Sequence, residues 1–308
     1  MILRYDVKES DSGRKVYSIM RRDLVISAAL TRRLKQVDAI SLNGQPVFTD
    51  RLVSPGDTVT VDIAAAEPAC DNIPETGTLD ILYEDEGLIA VNKQPGMLTH
   101  PSRARYTGTL ANIVAGYLKE TTGNGCCHAV NRLDRDTSGV VLFAKNSHMK
   151  ARASKALAAA DSDKEYIALV LGVLDAPAGT INRPIRRQCE GEMRRITAPD
   201  GQRAVTHYET VGTAYSQGNE VSLLRLRLET GRTHQIRVHM HDAGHPVLGD
   251  ILYNTDKSRS LSEILEISTQ ALHARRLAFT DPVSGGCIEL TAPVPQLFAG
   301  IRLNSNDR

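Results

Sequence analysis

The stretch "NRLDRDTSG" at residues 131–139 places two Arg and two Asp within the five positions from Arg132 to Asp136. It runs directly into the apolar sequence "VVLFAK" (140–145), which predicts a buried strand. A solvated loop seldom carries so many charges immediately before such a strand. Either Asp134 or Asp136 is therefore a candidate chemical group. The competing interpretation is that both aspartates cap a turn by accepting backbone N–H bonds.

Two further segments carry residues of a type that enzymes use. Tyr166 comes early in "EYIALVLGVL" (165–174), a predicted strand in which an aromatic residue is also ordinary. Arg232 and Arg237 occur in "TGRTHQIRVH" (230–239), where a surface ion pair is the simpler explanation for an arginine. No single one of these positions identifies a reaction.

Histidines and cysteines are the usual ligands of transition metals, but their spacing does not favour a metal site here. Four histidines fall within twelve residues, yet no nearby Glu completes a helical zinc motif; they are His234, His239, His241 and His245. The five cysteines include no C-x-x-C pair; they are Cys70, Cys126, Cys127, Cys189 and Cys287. This pattern argues for a reducing compartment, and against both a disulfide framework and a zinc site.

The elements around these residues fall into two regions. Residues 14–63 predict a small unit with a helix at 27–36, for which Ser27 is a plausible N-cap. Asn43-Gly44 is a strong signal for a hairpin, because a type I′ turn needs positive φ at both positions. The stretch at 64–77 has two Pro and no apolar periodicity, which is typical of a linker.

From Leu79 onward, predicted strands and helices mix without a regular β-α repeat, and several neighbouring strands look like hairpins. This pattern favours an α+β fold with a mixed, largely antiparallel sheet. The strands are expected in "LDILYEDEGLIAVNK", "SGVVLFAK", "EYIALVLGVL", "LLRLRLET", "LHARRLAFTDP" and "CIELTAP", and helices are expected at 147–161 and in a segment ending near Gly244. The expected domains are 1–66, a linker at 67–78, and 79–308.

Composition indicates an ordinary globular protein. The chain has 308 residues, of which 41% are hydrophobic and 24% charged. It has no apolar run long enough to cross a membrane and no signal peptide at its N-terminus, so a cytoplasmic protein is expected. The oligomeric state is left open.

The net charge of +1 hides two basic patches. Residues 182–203 contain six Arg against three acids, and the segment from Arg14 to Lys35 has a single acid, Asp23. Such patches can bind phosphate even on a nearly neutral chain, although a solvated helix face and a mobile loop would look the same. The basic residues of the N-terminal patch are Arg14, Lys15, Arg21, Arg22, Arg32, Arg33 and Lys35.

The joint pattern is more specific than any of its parts, and it resembles the RluA-type family of RNA pseudouridine synthases. The matching stretches occur in the family's order and at family-like spacing over about residues 79–300; they are "ILYEDEGLIAVNKQPGMLTHPS", "NRLDRDTSGVVLFAKN", "KEYIALVLG", "TGRTHQIRVHMHDAGHPVLGD" and "LHARRLAFTDP". The small N-terminal unit also resembles the alpha-L RNA-binding domain that often precedes this catalytic domain.

The resemblance implies roles for particular residues. Asp134 matches the essential aspartate of the family's R-L-D motif, whereas Asp136 matches a position that is not catalytic. Tyr166 would lie against the target base and Arg237 would pair with Asp134. Isomerising uridine to pseudouridine adds and removes nothing, so no cofactor, metal or energy source is expected.

The expected partner is structured RNA, most of all large-subunit ribosomal RNA. Arg132 is a candidate for holding the flipped nucleotide or a phosphate. The segment from Arg14 to Lys35 is expected to form a helix that contacts phosphates, through Arg21, Arg22, Arg32, Arg33 and Lys35.

One position departs from the family, which usually has His before R-L-D where this chain has Asn131. That change keeps open a first alternative, a catalytically inert RNA-binding protein on the same fold. A second alternative is a hydrolytic nucleosidase or glycosidase that uses Asp134 and Asp136 as a carboxyl pair.

Overall fold

A computed structural model describes residues 1–68, 70, 72–102, 105–216 and 218–299 of the chain. Positions 69 and 71 of the predicted linker and residues 300–308 of the predicted catalytic region lie outside the described residues.

Residues 1–66 form a small α+β unit with a hydrophobic core of its own. Its elements are β1 (Ile2–Asp6), α1 (Val16–Arg22), α2 (Ala28–Gln36), β2 (Ile40–Leu42), β3 (Gln45–Pro46) and β4 (Thr58–Asp62). Within these fully described residues the strands make one antiparallel sheet in the order β1-β4-β2-β3. The sequence predicted β2, β3 and β4 but not β1.

Local sequence explains the boundaries of this unit. The Ser27 side chain accepts a hydrogen bond from the Leu30 backbone N–H (3.1 Å), so it caps α2 as predicted. Leu30 and Leu34 are buried one helical turn apart. Asn43 and Gly44 both have positive φ, of 53° and 79°, as the predicted hairpin requires.

The basic segment is not the single helix that the sequence suggested. Val25 has a φ of +56°, and residues 23–27 separate α1 from α2. A left-handed conformation at a β-branched residue is incompatible with a continuous α-helix. The exposed positive charges are therefore distributed over two short helices.

The larger region contains the remaining elements of the described chain. They are β5 (Ile81–Glu84), β6 (Leu88–Lys93), α3 (Leu110–Thr122), β7 (His128–Ala129), β8 (Ser138–Ala144), α4 (Ser147–Ala158), β9 (Asp163–Leu171), β10 (Ala178–Asn182), β11 (Ile185–Arg187), β12 (Arg195–Thr197), β13 (Val205–Ser216), β14 (Asn219–Leu228), α5 (Gln235–Asp242), α6 (Asp256–Ile264), β15 (Leu272–Thr280), β16 (Cys287–Thr291) and α7 (Gln296–Ala299).

Most of these strands join one sheet in the order β10-β13-β14-β9-β15-β8-β6-β5, with β16 beside β15 and β7 beside β8. Its pairings are antiparallel except that between β8 and β15, which is parallel. Outside it, β11 and β12 form a short two-stranded ribbon. The mixed, largely antiparallel α+β fold predicted from the sequence is confirmed.

The central strands are buried on both faces, because helices cover the sheet on each side. In β6, Leu88 and Ala90 pack in the cluster that contains Met149 of α4, whereas Ile89 and Val91 pack in the cluster that contains Val114 of α3. Alternate side chains of a strand point to opposite faces, so both sets must be apolar. This explains the unbroken apolar run of β8.

The same alternation sets the direction of Tyr166 in β9. Ala168 and Val170 pack with Ile236 of α5, and Tyr166 lies against the same cluster. Residues two apart share a face of a strand. The phenol ring is therefore on the side of the sheet that carries α5.

Several elements had no clear signal in the sequence, namely α3, α6, β10, β11, β12 and β13.

The predicted linker makes specific contacts with the catalytic region. The Glu67 carboxylate accepts hydrogen bonds from the backbone N–H and the hydroxyl of Ser147 (both 2.9 Å). Among the described residues, no helix is long and apolar enough to cross a membrane.

The junction between β8 and β15 offers a test of the fold. A Cβ at Gly139 would lie 2.7 Å from the carbonyl carbon of Ala274, and the φ of Gly139 is +112°. We expect Gly139→Ala to lower the free energy of unfolding by about 3 kcal/mol or more, because it adds a backbone collision to an unfavourable φ. Urea denaturation measures this change.

Gly191→Ala is the matched control, because Gly191 also has a positive φ (+86°) but open space around its Cβ position. Its cost should be only about 1–2 kcal/mol. Equal losses for the two variants would contradict a close approach of β8 and β15.

Candidate active site

Asp134 lies in the loop that leads into β8, and its neighbour Leu133 anchors that loop. Leu133 is buried, and Thr99 binds it twice: the Thr99 hydroxyl accepts from the Leu133 N–H (3.2 Å) and donates to its carbonyl (3.0 Å). The Thr137 N–H donates to the Asp134 carbonyl (3.2 Å) and closes a turn. The Asp134 side chain remains 25% exposed.

Asn131 holds the start of the same loop against β8. Its side-chain oxygen accepts from the Leu142 N–H (2.7 Å) and its amide donates to the Val140 carbonyl (3.1 Å). The side chain thus satisfies one backbone donor and one acceptor of the strand, as a neighbouring strand would. The amide at this position has a positional role in this chain.

Lys93 holds the other side of the loop. Its ammonium group is fully buried and donates to the carbonyls of Gln94 (2.9 Å), Met97 (2.9 Å) and Arg135 (2.7 Å). Burial lowers the pKa of Lys93 to about 8, so the group is still largely protonated at pH 7. All three of its protons have acceptors, and one of these belongs to the residue that follows Asp134.

Arg237, in α5, lies between two carboxylates. Its Nη1 donates to Asp134 Oδ2 (2.8 Å), while its Nε and Nη2 make a bidentate pair with Asp250 (2.6 and 2.9 Å). The Tyr253 ring lies under the guanidinium, 5.0 Å from its central carbon. The arginine is therefore held on several sides while one N–H remains directed at Asp134.

The charges around Arg237 keep it ionised. Burial by itself would lower the pKa of Arg237, but the hydrogen bond and charge of Asp250, followed by those of Asp134, raise the pKa above its ordinary value. The Asp250 side chain is completely buried, and it also accepts from the backbone N–H groups of Leu252 (2.8 Å) and Tyr253 (3.0 Å). Fixed donors thus hold Asp250, which in turn fixes Arg237.

Tyr166 lines the same cavity as Asp134 and Arg237. Burial, with a smaller contribution from the Asp134 carboxylate, raises the pKa of Tyr166 to about 12. The phenol is therefore neutral at pH 7.

This cavity has a volume of about 930 Å³ and is partly open to solvent. Arg132 stands on its rim, exposed, with Nη1 3.2 Å from Nε2 of His100. Met193 also lines the cavity and is 74% exposed, in the turn between β11 and β12. A volume of this size accommodates a small molecule or a flipped nucleotide.

Asp136 lines the cavity too, but it differs from Asp134 in its partner. It forms an ion pair with its neighbour Arg135 (2.9 Å), whose side chain is half exposed. The two aspartates therefore have different surroundings, although they are only two residues apart.

Sequence reasoning missed Asp250 and Tyr253, which support Arg237, and it weighed His234 only as a metal ligand. His234 immediately precedes α5 with a φ of +58°, and its Nδ1 is hydrogen-bonded to the Tyr253 hydroxyl (2.9 Å). Its Nε2 is 3.9 Å from Asp134 Oδ2. Burial lowers the pKa of His234, so it is neutral at pH 7. Only the position of Asp250 at the end of the "TGRTHQIRVHMHDAGHPVLGD" stretch hinted at a role.

The four histidines between residues 234 and 245 do not converge on a metal site among the described residues. His239 is hydrogen-bonded to the Thr206 hydroxyl and to the Arg183 carbonyl (both 2.9 Å). His245 is hydrogen-bonded to the Leu171 carbonyl (2.9 Å). The Arg232 side chain donates a hydrogen bond to the Arg203 carbonyl, which gives it a structural role there.

The candidate RNA-binding residues of α1 and α2 differ in exposure. Arg21, Arg22, Arg32 and Lys35 are exposed, although Arg21 donates to the Ile26 carbonyl. Arg33 is partly buried and donates to the Ser147 hydroxyl (3.2 Å). Arg33 therefore joins the small unit to α4, and it is the weakest of these candidates for an RNA contact.

Comparison with known proteins identifies the family. The model of the RNA pseudouridylate synthase family matches residues 87–242, which include Lys93, Asp134, Tyr166 and Arg237. This is half of the chain. The chain belongs to the RNA pseudouridine synthase family.

Full-length relatives agree with this assignment. An uncharacterized RNA pseudouridine synthase of Bacillus subtilis, YhcT, is 38% identical over 290 residues, which are 94% of this chain and 92% of the relative. Ribosomal large subunit pseudouridine synthase D of Zymomonas mobilis is 38% identical over 248 residues, 78% of this chain and 76% of the relative. The predicted RluA-type family and enzyme class, an isomerase that forms pseudouridine in RNA, are confirmed.

Solved structures agree as well. Human RNA pseudouridylate synthase domain containing 1 aligns with a TM-score of 0.60 and 26% identity, over 78% of this chain and 92% of that chain. Human RNA pseudouridylate synthase domain containing 4 has the same fold, with a TM-score of 0.57 and 24% identity, over 71% and 90%. The substrate of this pseudouridine synthase is RNA.

The buried Asp250–Arg237 pair predicts a positioning role in this synthase. We expect Asp250→Asn to lower kcat about 10–100-fold with KM for RNA changed less than about threefold, because Arg237 loses its orientation while the cavity keeps its shape. Steady-state kinetics measures the split between kcat and KM. Asp250→Glu, which restores the charge, should recover part of the loss.

Asp242→Asn is the control. Asp242 lies on α5, as Arg237 does, and its partly exposed carboxylate pairs with Arg183. It should leave both constants unchanged. An unaltered kcat in folded Asp250→Asn protein would refute the positioning role.

Proposed function

We propose that this synthase converts uridine to pseudouridine in large-subunit ribosomal RNA, with Asp134 as its essential carboxylate. The observation that supports this assignment is the 2.8 Å hydrogen bond from Arg237 to Asp134 in a cavity that Tyr166 also lines.

The reaction needs few groups. The bond between the ribose anomeric carbon and N1 of uracil breaks, and a bond from that carbon to C5 forms. The proton on C5 is lost and a proton is gained at N1, so atoms and charge balance within the nucleotide and solvent. Asp134 starts this sequence, as a nucleophile or as a base toward the sugar.

Arg237 orients the Asp134 carboxylate in the cavity through their hydrogen bond. A planar guanidinium fixes the direction of a carboxylate that it binds. Asp250 supports the arginine from the other side, through two hydrogen bonds. The orientation of Asp134 thus depends on the charged Arg237 side chain, which Asp250 holds in place.

Tyr166 holds the uracil during its rotation. A neutral phenol ring can stack on a flipped base and keep it in the pocket after the glycosidic bond has broken. With a pKa of about 12, its hydroxyl would act on the C5 proton only after it has transferred its own proton.

Residues 1–66 serve as an RNA-binding domain, joined through residues 67–78 to the catalytic domain at 79–308. The exposed charges of α1 and α2 contact phosphates, while Arg132 holds the flipped nucleotide or an adjacent phosphate at the rim of the cavity. The ribosomal target follows the relatives named ribosomal large subunit pseudouridine synthase D, and it implies a cytoplasmic enzyme.

The two aspartates of the loop give the sharpest test of catalysis. Asp134→Asn should abolish isomerisation, by about 10³-fold or more, with little loss of RNA binding, because it removes the charge but keeps the shape. Asp136→Asn is the matched control two residues away and should keep much of the activity. Tritium release from RNA labelled at uracil C5 measures turnover.

Full turnover by Asp134→Asn, or complete loss in Asp136→Asn alone, would reverse the assignment. Free uracil together with an abasic RNA would instead indicate a hydrolase. An RNA product of unchanged mass agrees with isomerisation.

The RNA-binding role is tested by removing charge while the fold is kept. In Arg22→Gln/Arg32→Gln/Lys35→Gln, the slope of log Kobs against log salt should fall by about 2–3, because each lost phosphate contact lowers it by about 0.7–0.9. Filter binding or fluorescence anisotropy with a ribosomal RNA fragment measures this slope.

The control Lys119→Gln/Lys150→Gln/Lys155→Gln removes the same charge from exposed positions on α3 and α4. If both triple variants lower the slope equally, α1 and α2 have no special part in binding RNA.

A further inference from the structure

Three potential metal ligands converge where the predicted linker meets the catalytic domain. Glu67 Oε1, Cys126 Sγ and His128 Nε2 lie within 4.8 Å of one another. Cys70 is not one of the three: its thiol donates to the Cys127 carbonyl (3.6 Å) and accepts from the Asn72 amide (3.4 Å). Cys126 and His128 form a C-x-H pair in the sequence, and Glu67 comes from the predicted linker.

Strand geometry explains why Cys126 and His128 face the same way. His128 begins β7, and residues two apart along an extended chain project to one side. The residue between them, Cys127, projects to the opposite side: it packs in the core with α3, and its thiol donates to the Ala111 carbonyl (3.4 Å). Cys127 therefore belongs to the core and not to the cluster.

The distances suit a tetrahedral ion. Cys126 Sγ is 3.5 Å from His128 Nε2 and 3.8 Å from Glu67 Oε1. Zinc bonds of about 2.0–2.3 Å in a tetrahedron separate neighbouring ligands by about 3.3–3.8 Å. The His128 to Glu67 distance is 2.9 Å, so these two groups would move apart by a few tenths of an ångström on binding an ion.

The cluster is buried and its carboxylate is already oriented. Glu67 is 2% exposed at its side chain, His128 is 22% exposed, and Cys126 is buried. Ser147, at the start of α4, donates two hydrogen bonds to the Glu67 carboxylate, one from its backbone and one from its hydroxyl. Partners of this kind hold the first ligands of metal sites in place.

We propose that Glu67, Cys126 and His128 bind one zinc ion, with water as its fourth ligand, and that the ion locks the linker against β7 and α4. Sulfur, imidazole and carboxylate ligands in tetrahedral arrangement select zinc among the common divalent ions. The site has no part in the isomerisation. It is a structural clamp between the small N-terminal unit and the catalytic domain, and binding releases the thiol proton of Cys126.

The test uses the full-length protein purified without chelators or added metal. Mass spectrometry of the metal content should find about one zinc per chain, and removing zinc with a chelator should lower Tm by about 5–10 °C. Cobalt added to the stripped protein should give tetrahedral and sulfur-to-cobalt absorption bands. Tritium release at low temperature should be unchanged.

Variants identify the ligands. Cys126→Ser and His128→Ala should each lose the zinc, whereas Cys127→Ala and Cys189→Ser should keep it. Wild-type protein that contains no zinc and does not take it up at micromolar concentration would overturn the proposal, whatever the variants do. A disulfide between Cys70 and Cys126 in the purified protein would overturn it as well, because it removes the Cys126 thiolate.

Discussion

The site depends on one buried positive charge. Arg237 is almost completely enclosed, and a charge in that position is costly unless fixed partners surround it. Asp250 provides the permanent partner, since backbone N–H groups and burial leave its carboxylate no freedom. Asp134 is the second partner, and it alone opens to the cavity. The asymmetry between the two carboxylates leaves Asp134 accessible from the cavity while Asp250 is sealed in the protein.

The surrounding fold supports this arrangement through backbone geometry. Asp134 lies between two anchors, the buried Leu133 held by Thr99 and the Arg135 carbonyl held by Lys93. Asn131 extends the hydrogen bonding of β8 into the loop, so the family's usual histidine is replaced here by an amide with a positional role. Rigid supports of this kind set the position of a catalytic group within fractions of an ångström.

The proposed zinc clamp and the proposed RNA contacts belong to one mechanical arrangement. The small unit touches α4 through Arg33 and Ser147, and the linker reaches the same helix terminus through Glu67. An enzyme that binds a large RNA with one domain and modifies it with another gains from a fixed distance between the two. In this view the linker fixes the position of the small unit relative to the catalytic domain, which a flexible tether would not do.

The sequence by itself determined the family, the α+β class and the positions of most strands along the chain, because these depend on local periodicity and on contiguous motifs. It also indicated Asp134, Tyr166 and Arg237, through motifs far apart along the chain. Only the tertiary structure revealed Asp250 behind Arg237, the break between α1 and α2, and the meeting of Glu67 with Cys126 and His128. These features depend on which side chains the sheet and its loops bring together across long separations. Such contacts leave no local spacing in the sequence from which they could be read.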